Sequence, residues 1–352
     1  MNLRNVVLVF LNFFLFYTTF AQNISATQDS TLDNLVHTKG YVTCKLGELG
    51  EVKKTGNAKQ SIILIAGLGF GNEDYRSLIN HYKKNYTIHE VTPAGFAGTP
   101  APPMPDTSIT YSQLTWTNGI VTGVLNLIEK EKLENPVIVA HFVTATQAAL
   151  NLALNYPNKI GKLIIISGSP YRYYAGFKNG QYNDWINEQI YTPQQRAKLV
   201  EVYWAPKWFK TVTKKTWDDN MWTPEDYSKD SIIGNLLFKT SANVPVQVMI
   251  RYLIEWISYD ISEKYQQLKV PTLILIPDFK ELLTQPDSSD TASCKNVAAK
   301  QYLKYFHQVA WQKAQHAQNP LIEIQTIPDT RLFMWNDNPY VFYNSIRNFI
   351  GH

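Results

Sequence analysis

The chain has 352 residues, 45% of them hydrophobic, and a formal net charge of +4. It is too long for a minimal domain and apolar enough for a sizeable core. The mild positive balance, without a clustered basic stripe, gives no reason to expect a nucleic-acid partner.

Residues 1–21 carry one arginine, Arg4, then an apolar run from Val6 to Phe20, and end in Thr-Phe-Ala before Gln22. This is the pattern of a secretory signal peptide, so the mature protein is expected to begin near Gln22 and to be periplasmic or secreted. A retained anchor is the alternative. The run is short and holds Asn12, whereas a spanning helix takes about 20 apolar residues. No later stretch is long enough to span, so no stable membrane span is expected once the leader is gone. In an exported protein the two cysteines, Cys44 and Cys294, either form one disulfide or remain two separate buried thiols. No metal-ligand cluster and no phosphate-cradling glycine loop stands out, so neither a metal nor a cofactor is expected. His307 and His316 are nine apart and do not closely share a helix face.

Residues 40–53, around Gly47 and Gly50, suggest an opening hairpin. Ser61-Ile-Ile-Leu-Ile-Ala66 is a buried strand that runs into Gly67-Leu-Gly-Phe-Gly71, with a helix near 74–82. Residues 86–91 form the next strand and lead to Thr92-Pro-Ala-Gly-Phe-Ala-Gly98 and a proline-rich stretch. Residues 111–131 are a helix. Val137–Ala140 is apolar and β-branched, and Ala145, Ala148, Ala149, Leu152 and Ala153 follow at helical spacing until Tyr156-Pro157. With Lys162-Leu-Ile-Ile-Ile-Ser167 this makes a strand–helix–strand unit, which predicts two parallel strands with a right-handed crossover.

Residues 169–262 break that rhythm. They are helical in pattern and rich in tryptophan, including Trp185, Trp208 and Trp256, and Pro193, Pro206, Pro224 and Pro245 divide them. The alternation resumes with a strand at 269–276, a polar loop holding Asp287 and Asp290, a helix at 295–315 and a strand at 321–327. The chain closes with Ile-Pro-Asp-Thr-Arg-Leu-Phe-Met-Trp-Asn-Asp-Asn-Pro over residues 327–339.

From about Gly40 to Gly168, and again after the break, the sequence resembles the α/β-hydrolase family. The turn His141-Phe142-Val143 is similar to that family's nucleophile elbow, where a small-x-Ser-x-Gly turn lifts a serine above the sheet, usually behind a histidine. His141 matches the histidine and Phe142 the nucleophile, while Ala140 and Thr144 stand at the glycine positions. The 67–71 turn is similar to the His-Gly loop, with Ala66 at the histidine and Gly67 kept. The resemblance implies oxyanion-type backbone donors at Leu68 and Val143. It also implies a catalytic acid after the 269–276 strand, for which Asp278 and Glu281 are candidates, with Asp260 near the end of the 169–262 segment, where the family carries a cap, as another. Near the end, Phe333, Asp337 and Pro339 fit the family's His-Phe…Asp-x-Pro register, and Leu332 falls on the histidine.

The expected architecture is therefore an α/β-hydrolase-like, mostly parallel sheet flanked by helices. The core would comprise 22–168 and 263–352, with a helical cap at 169–262. His141, Thr144, Trp185, Trp208 and Phe333 are the candidate pocket residues between cap and sheet, although aromatics in a small cap equally serve its own core. A phenyl ring cannot attack a carbonyl, and a leucine cannot relay a proton. A bulky residue is poorly tolerated at the left-handed elbow, so that turn is expected to relax. The two apolar replacements favour an exported pseudo-hydrolase that binds an apolar small molecule or pairs with an active hydrolase relative. One alternative is a hydrolase with relocated residues, Thr144 or Thr146 as nucleophile and His141 as base. Another is a lyase or isomerase on the same fold.

Overall fold

The computed structural model describes residues 42–104, 111–170, 205–215, 223–279 and 310–351, with short pieces between 176 and 201. The expected signal peptide, Trp185, Glu281, Asp287, Asp290, Cys294 and its pairing, and most of the 295–315 helix lie outside the described residues.

The centre is a seven-stranded sheet. Its strands are β1 Glu51–Thr55, β2 Ser61–Ile65, β3 Thr87–Thr92, β4 Val137–His141, β5 Lys162–Ile166, β8 Thr272–Pro277 and β9 Ile322–Ile327, and the order is β1-β3-β2-β4-β5-β8-β9. A separate two-stranded antiparallel pair, β6 Gly176–Lys178 and β7 Gln181–Asn183, lies in the segment expected to be a helical cap. Within the large sheet β1 runs antiparallel to β3, and every other neighbouring pair is parallel. Sequence explains the order. Strands β2, β4, β5 and β8 are runs of Ile, Leu and Val, buried on nearly every residue, as central parallel strands must be when helices cover both faces. Strand β9 alternates Ile with Glu323 and Gln325 and is only partly buried, which suits an edge.

The helices are α1 Arg76–Tyr82, α2 Thr115–Lys130, α3 Phe142–Asn155, α4 Ala205–Thr211, α5 Pro224–Tyr227, α6 Ser231–Ala242, α7 Val246–Ser258, α8 Ala310–His316, α9 Met334–Asp337 and α10 Pro339–Ile350. Helices α1 and α10 cover the sheet face formed by Ile62, Leu64, Val139 and Ile164, leaving an apolar cavity of about 20 Å³ between them. That is room for about one water and no ligand. The alternate residues face α2 and α3. Gly168 shows how closely: a Cβ there would lie 2.1 Å from Thr146 Oγ1 on α3 and 2.6 Å from Ile165 Cγ2.

Helices α4 to α7 belong to the 169–262 segment; α5, α6 and α7 meet the loops at the C-terminal edge of the sheet, and α4 packs on α7. Helix α7 is buried along almost its whole length. The Tyr252 hydroxyl donates to the Ala94 carbonyl at 2.9 Å, and Gly95 would place a Cβ 2.7 Å from Val248. Among the described residues no helix is long and apolar enough to cross a membrane.

Candidate functional site

Four neighbouring strands leave the sheet through a left-handed, non-glycine residue. These are Phe142 after β4 (φ 60°), Ser167 after β5 (φ 52°), Phe279 after β8 (φ 50°) and Asp329 after β9 (φ 63°). Each costs about 1–2 kcal/mol for an L-residue, and such strain collects where surrounding structure over-determines a site. The elbow has not relaxed as expected. Phe142 keeps the left-handed conformation with its side chain fully buried, and Val143 follows as a kink (φ 8°, ψ −94°) before α3 becomes regular. Packing of the ring supplies what the backbone loses. Gly67 permits the approach of the neighbouring turn, since a Cβ there would meet the His141 carbonyl at 2.5 Å and Phe142 Cβ at 3.0 Å.

His141 is the hub of this edge. Its Nδ1 lies 2.7 Å from the Tyr75 hydroxyl, and its Nε2 lies 3.0 Å from the Leu332 carbonyl. The Tyr75 hydroxyl also accepts the Gly67 N–H at 2.8 Å, so its own proton is directed to Nδ1. The network thereby assigns the imidazole proton to Nε2, donating to Leu332. Ser167 Oγ donates to the same carbonyl at 2.7 Å. Loops following β2, β4, β5 and β9 are thus clipped together by one neutral ring. Phe333, Trp335, Tyr75 and Phe142 surround it, with ring centroids 4.5, 5.1, 5.4 and 5.9 Å away. Burial among them pushes the imidazole down to about 3, against a smaller opposing effect of the Leu332 bond.

Leu332 is fully buried, and its backbone N–H donates to the Asp226 carbonyl at 3.1 Å; the adjacent Phe333 N–H donates to the Tyr227 carbonyl at 2.9 Å. The C-terminal loop is therefore paired with α5. Leu68 and Val143, the oxyanion-type positions, are both buried beside the elbow. The Gly69 position between them and the cap is closed: a Cβ there would lie 2.9 Å from Ser241 Oγ on α6 and 3.0 Å from Met249 Cε on α7. Asp278 sits at the exit of β8, half-buried, with Oδ1 accepting the Thr330 N–H at 3.2 Å. Asp260 accepts the Ser262 N–H at 2.8 Å, a turn-forming bond. Thr144 and Phe333 are fully buried, and Trp208 is half-buried against the core. The hydroxyls of Thr144 and Thr146 are buried without a hydrogen-bond partner. Among the described residues no group of His, Cys, Asp and Glu is placed to hold a metal.

Two anchors, Tyr75 and Ser167, carry no motif in the sequence. Asp337, which fits the register of the C-terminal loop, is a third: its Oδ1 accepts from Ser228 Oγ at 2.7 Å and the Lys229 N–H at 2.8 Å, while Oδ2 accepts the Arg331 N–H at 2.7 Å. It ties the 223–230 segment to the C-terminal loop, and burial raises its carboxyl above the usual range.

The parallel sheet, the elbow after β4 and the helical segment after β5 define an α/β-hydrolase fold. Solved structures agree. An esterase from Exiguobacterium antarcticum superposes with a TM-score of 0.57 at 14% identity, covering 85% of this chain and 94% of its own. A serine hydrolase from Cycloclasticus zankles gives 0.56 at 12% identity over 85% of this chain and 93% of its own. An enol-lactonase from Burkholderia xenovorans gives 0.53 at 11% over 85% and 95%. No protein-family model and no curated protein sequence matches the chain. At these identities the likeness is one of fold.

Proposed function

We propose that this protein is a pseudo-hydrolase: an α/β-hydrolase fold that has given up acyl transfer and binds instead. The observation that carries the reading is Phe142 at the elbow, φ 60° and fully buried. The position that lifts a nucleophile in hydrolases here holds a group with no lone pair, and its ring takes the space a substrate carbonyl needs. Leu332 at the histidine register removes the proton relay. The bound species is an apolar small molecule held between sheet and cap, or an active hydrolase relative. We further propose that the protein is exported and that its mature form begins near Gln22, which N-terminal sequencing of the mature protein tests.

Purified protein should hydrolyse an ester panel no faster than an unfolded control. An oxyanion hole alone retains about 10³–10⁴-fold over water, and Phe142 obstructs even that remnant. The paired change Phe142→Ser and Leu332→His should introduce measurable turnover, because Asp278 still stands at the exit of β8. Turnover by the unmodified protein on any ester would end the pseudo-hydrolase reading.

A second reading, a hydrolase with Thr144 or Thr146 as nucleophile, draws on their buried, unpartnered hydroxyls. His141 would have to be its base. Both ring nitrogens are already engaged, and the ring's affinity for a proton is depressed to about 3. A base needs the opposite. Loss of any residual turnover on Thr144→Ala would favour this reading.

A further inference from the structure

The Arg251 side chain is 1% exposed, and its Nη2 donates to Glu255 Oε1 at 2.5 Å. Its Nε and Nη1 have no hydrogen-bond partner. A buried guanidinium with free N–H groups is rare and calls for a partner.

The charge balance around it is lopsided. Glu255 lies wholly buried on α7 and reaches across to the first turn of α2. Its Oε1 also accepts the Trp116 N–H at 2.9 Å, and its Oε2 accepts the Thr117 N–H and hydroxyl, both at 2.8 Å. Helix α2 has sixteen residues, and its N-cap residue Leu114 offers no side-chain cap. Its N-terminal partial charge, roughly half a unit, is therefore carried by Glu255. One carboxylate faces both a full guanidinium charge and a helix N-terminus, so the pocket keeps a positive residue. The Tyr111 ring lies over the guanidinium, 4.7 Å from Cζ, and is itself half-buried. Phe209 of α4 stacks on Tyr111 at 5.7 Å. The guanidinium is thus covered by a half-buried aromatic ring, which Phe209 backs in turn.

We propose that Arg251 is an anion-binding residue and that the protein takes an organic carboxylate with an apolar body. Nη1 and Nε donate to the carboxylate oxygens, while the body lies along Tyr111 and Phe209. A carboxylate brings negative charge to a pocket left with roughly half a unit of positive charge, and its planar oxygens suit the guanidinium. This rests on the ligand-binding reading above and narrows its ligand from an apolar molecule to an apolar acid.

The test compares decanoate with 1-decanol, titrated into the full chain and followed by calorimetry. Hydrogen bonds to a buried charged group favour decanoate by about tenfold or more. Arg251→Gln should bring the two affinities together by weakening decanoate alone, with the fold checked by circular dichroism. Arg251→Lys, which keeps the charge but not the planar donors, should lose part of the preference, and it stands in if the glutamine variant does not fold. Equal binding of both probes to the unmodified protein would overturn the proposal while leaving the ligand-binding reading in place. An unchanged preference in a folded Arg251→Gln variant would also overturn it, as would no binding of either probe.

Discussion

His141 sits where hydrolases of this fold place a residue beside the nucleophile, and here it works as a fastener. Removing it by His141→Ala would leave the Tyr75 hydroxyl and the Leu332 carbonyl buried without their partner, and urea denaturation should show a loss of about 3 kcal/mol. Its pH signature has a fixed sign. The folded-state value, about 3, lies below the unfolded value of roughly 6.5, so the ring stabilises when neutral. That contribution is complete above about pH 6.5 and falls by about 1.4 kcal/mol per unit as the pH drops towards 3. Asp74, pushed up to about 6 by burial, acts the other way: it binds its proton more readily when folded and gains stability as the pH falls from about 6 to 4. The difference between wild type and His141→Ala, measured across that window, isolates the histidine. Phe142 allows a second residue-scale test. Both Phe142→Ala and Phe142→Gly remove the ring, at about 3–5 kcal/mol. Elsewhere alanine is the more stable of the two; at φ 60° glycine should win by about 1 kcal/mol.

Helices α2 and α7 are distant in sequence yet share one cap. Glu255 performs for α2 the task that a serine or aspartate just ahead of the helix ordinarily performs. Glu255→Ala should therefore cost about 3–5 kcal/mol, since it uncaps α2 and leaves Arg251 buried without its counter-charge. Adding Arg251→Met should recover part of that loss, which a double-mutant cycle in urea would read as coupling between the two sites. A sum of independent losses would show that Glu255 acts on α2 alone.

At the scale of the whole molecule, the 223–258 helices are fastened to the sheet edge at separate points. Asp337 holds Ser228 and Lys229, the Leu332 and Phe333 amides bond to Asp226 and Tyr227, and Tyr252 bonds to Ala94. This is a seated cover and not a loose lid. Asp337→Ala should raise hydrogen exchange in residues 223–242, leaving β4, β5 and β8 protected as before. Equal acceleration throughout would mean that the segment opens only with global unfolding.

The sequence by itself determined the strand order's raw material and the elbow's place. Runs such as Ile62–Ile65 and Leu163–Ile166 are short, β-branched and bounded by turn residues, which marks them as strands buried on both faces of a parallel sheet. The apolar side chains at Phe142 and Leu332 were legible too, because a sequence states outright which atom types stand at a turn. Tertiary structure alone decided the rest. It kept Phe142 left-handed, since ring packing outweighs a local backbone preference. It made His141 a clip by bringing Tyr75 and Leu332 to its two nitrogens from 66 and 191 residues away. It left Arg251 half-neutralised beneath Tyr111. These outcomes depend on which buried groups meet across the chain, and local sequence pattern carries no information about partners so far apart.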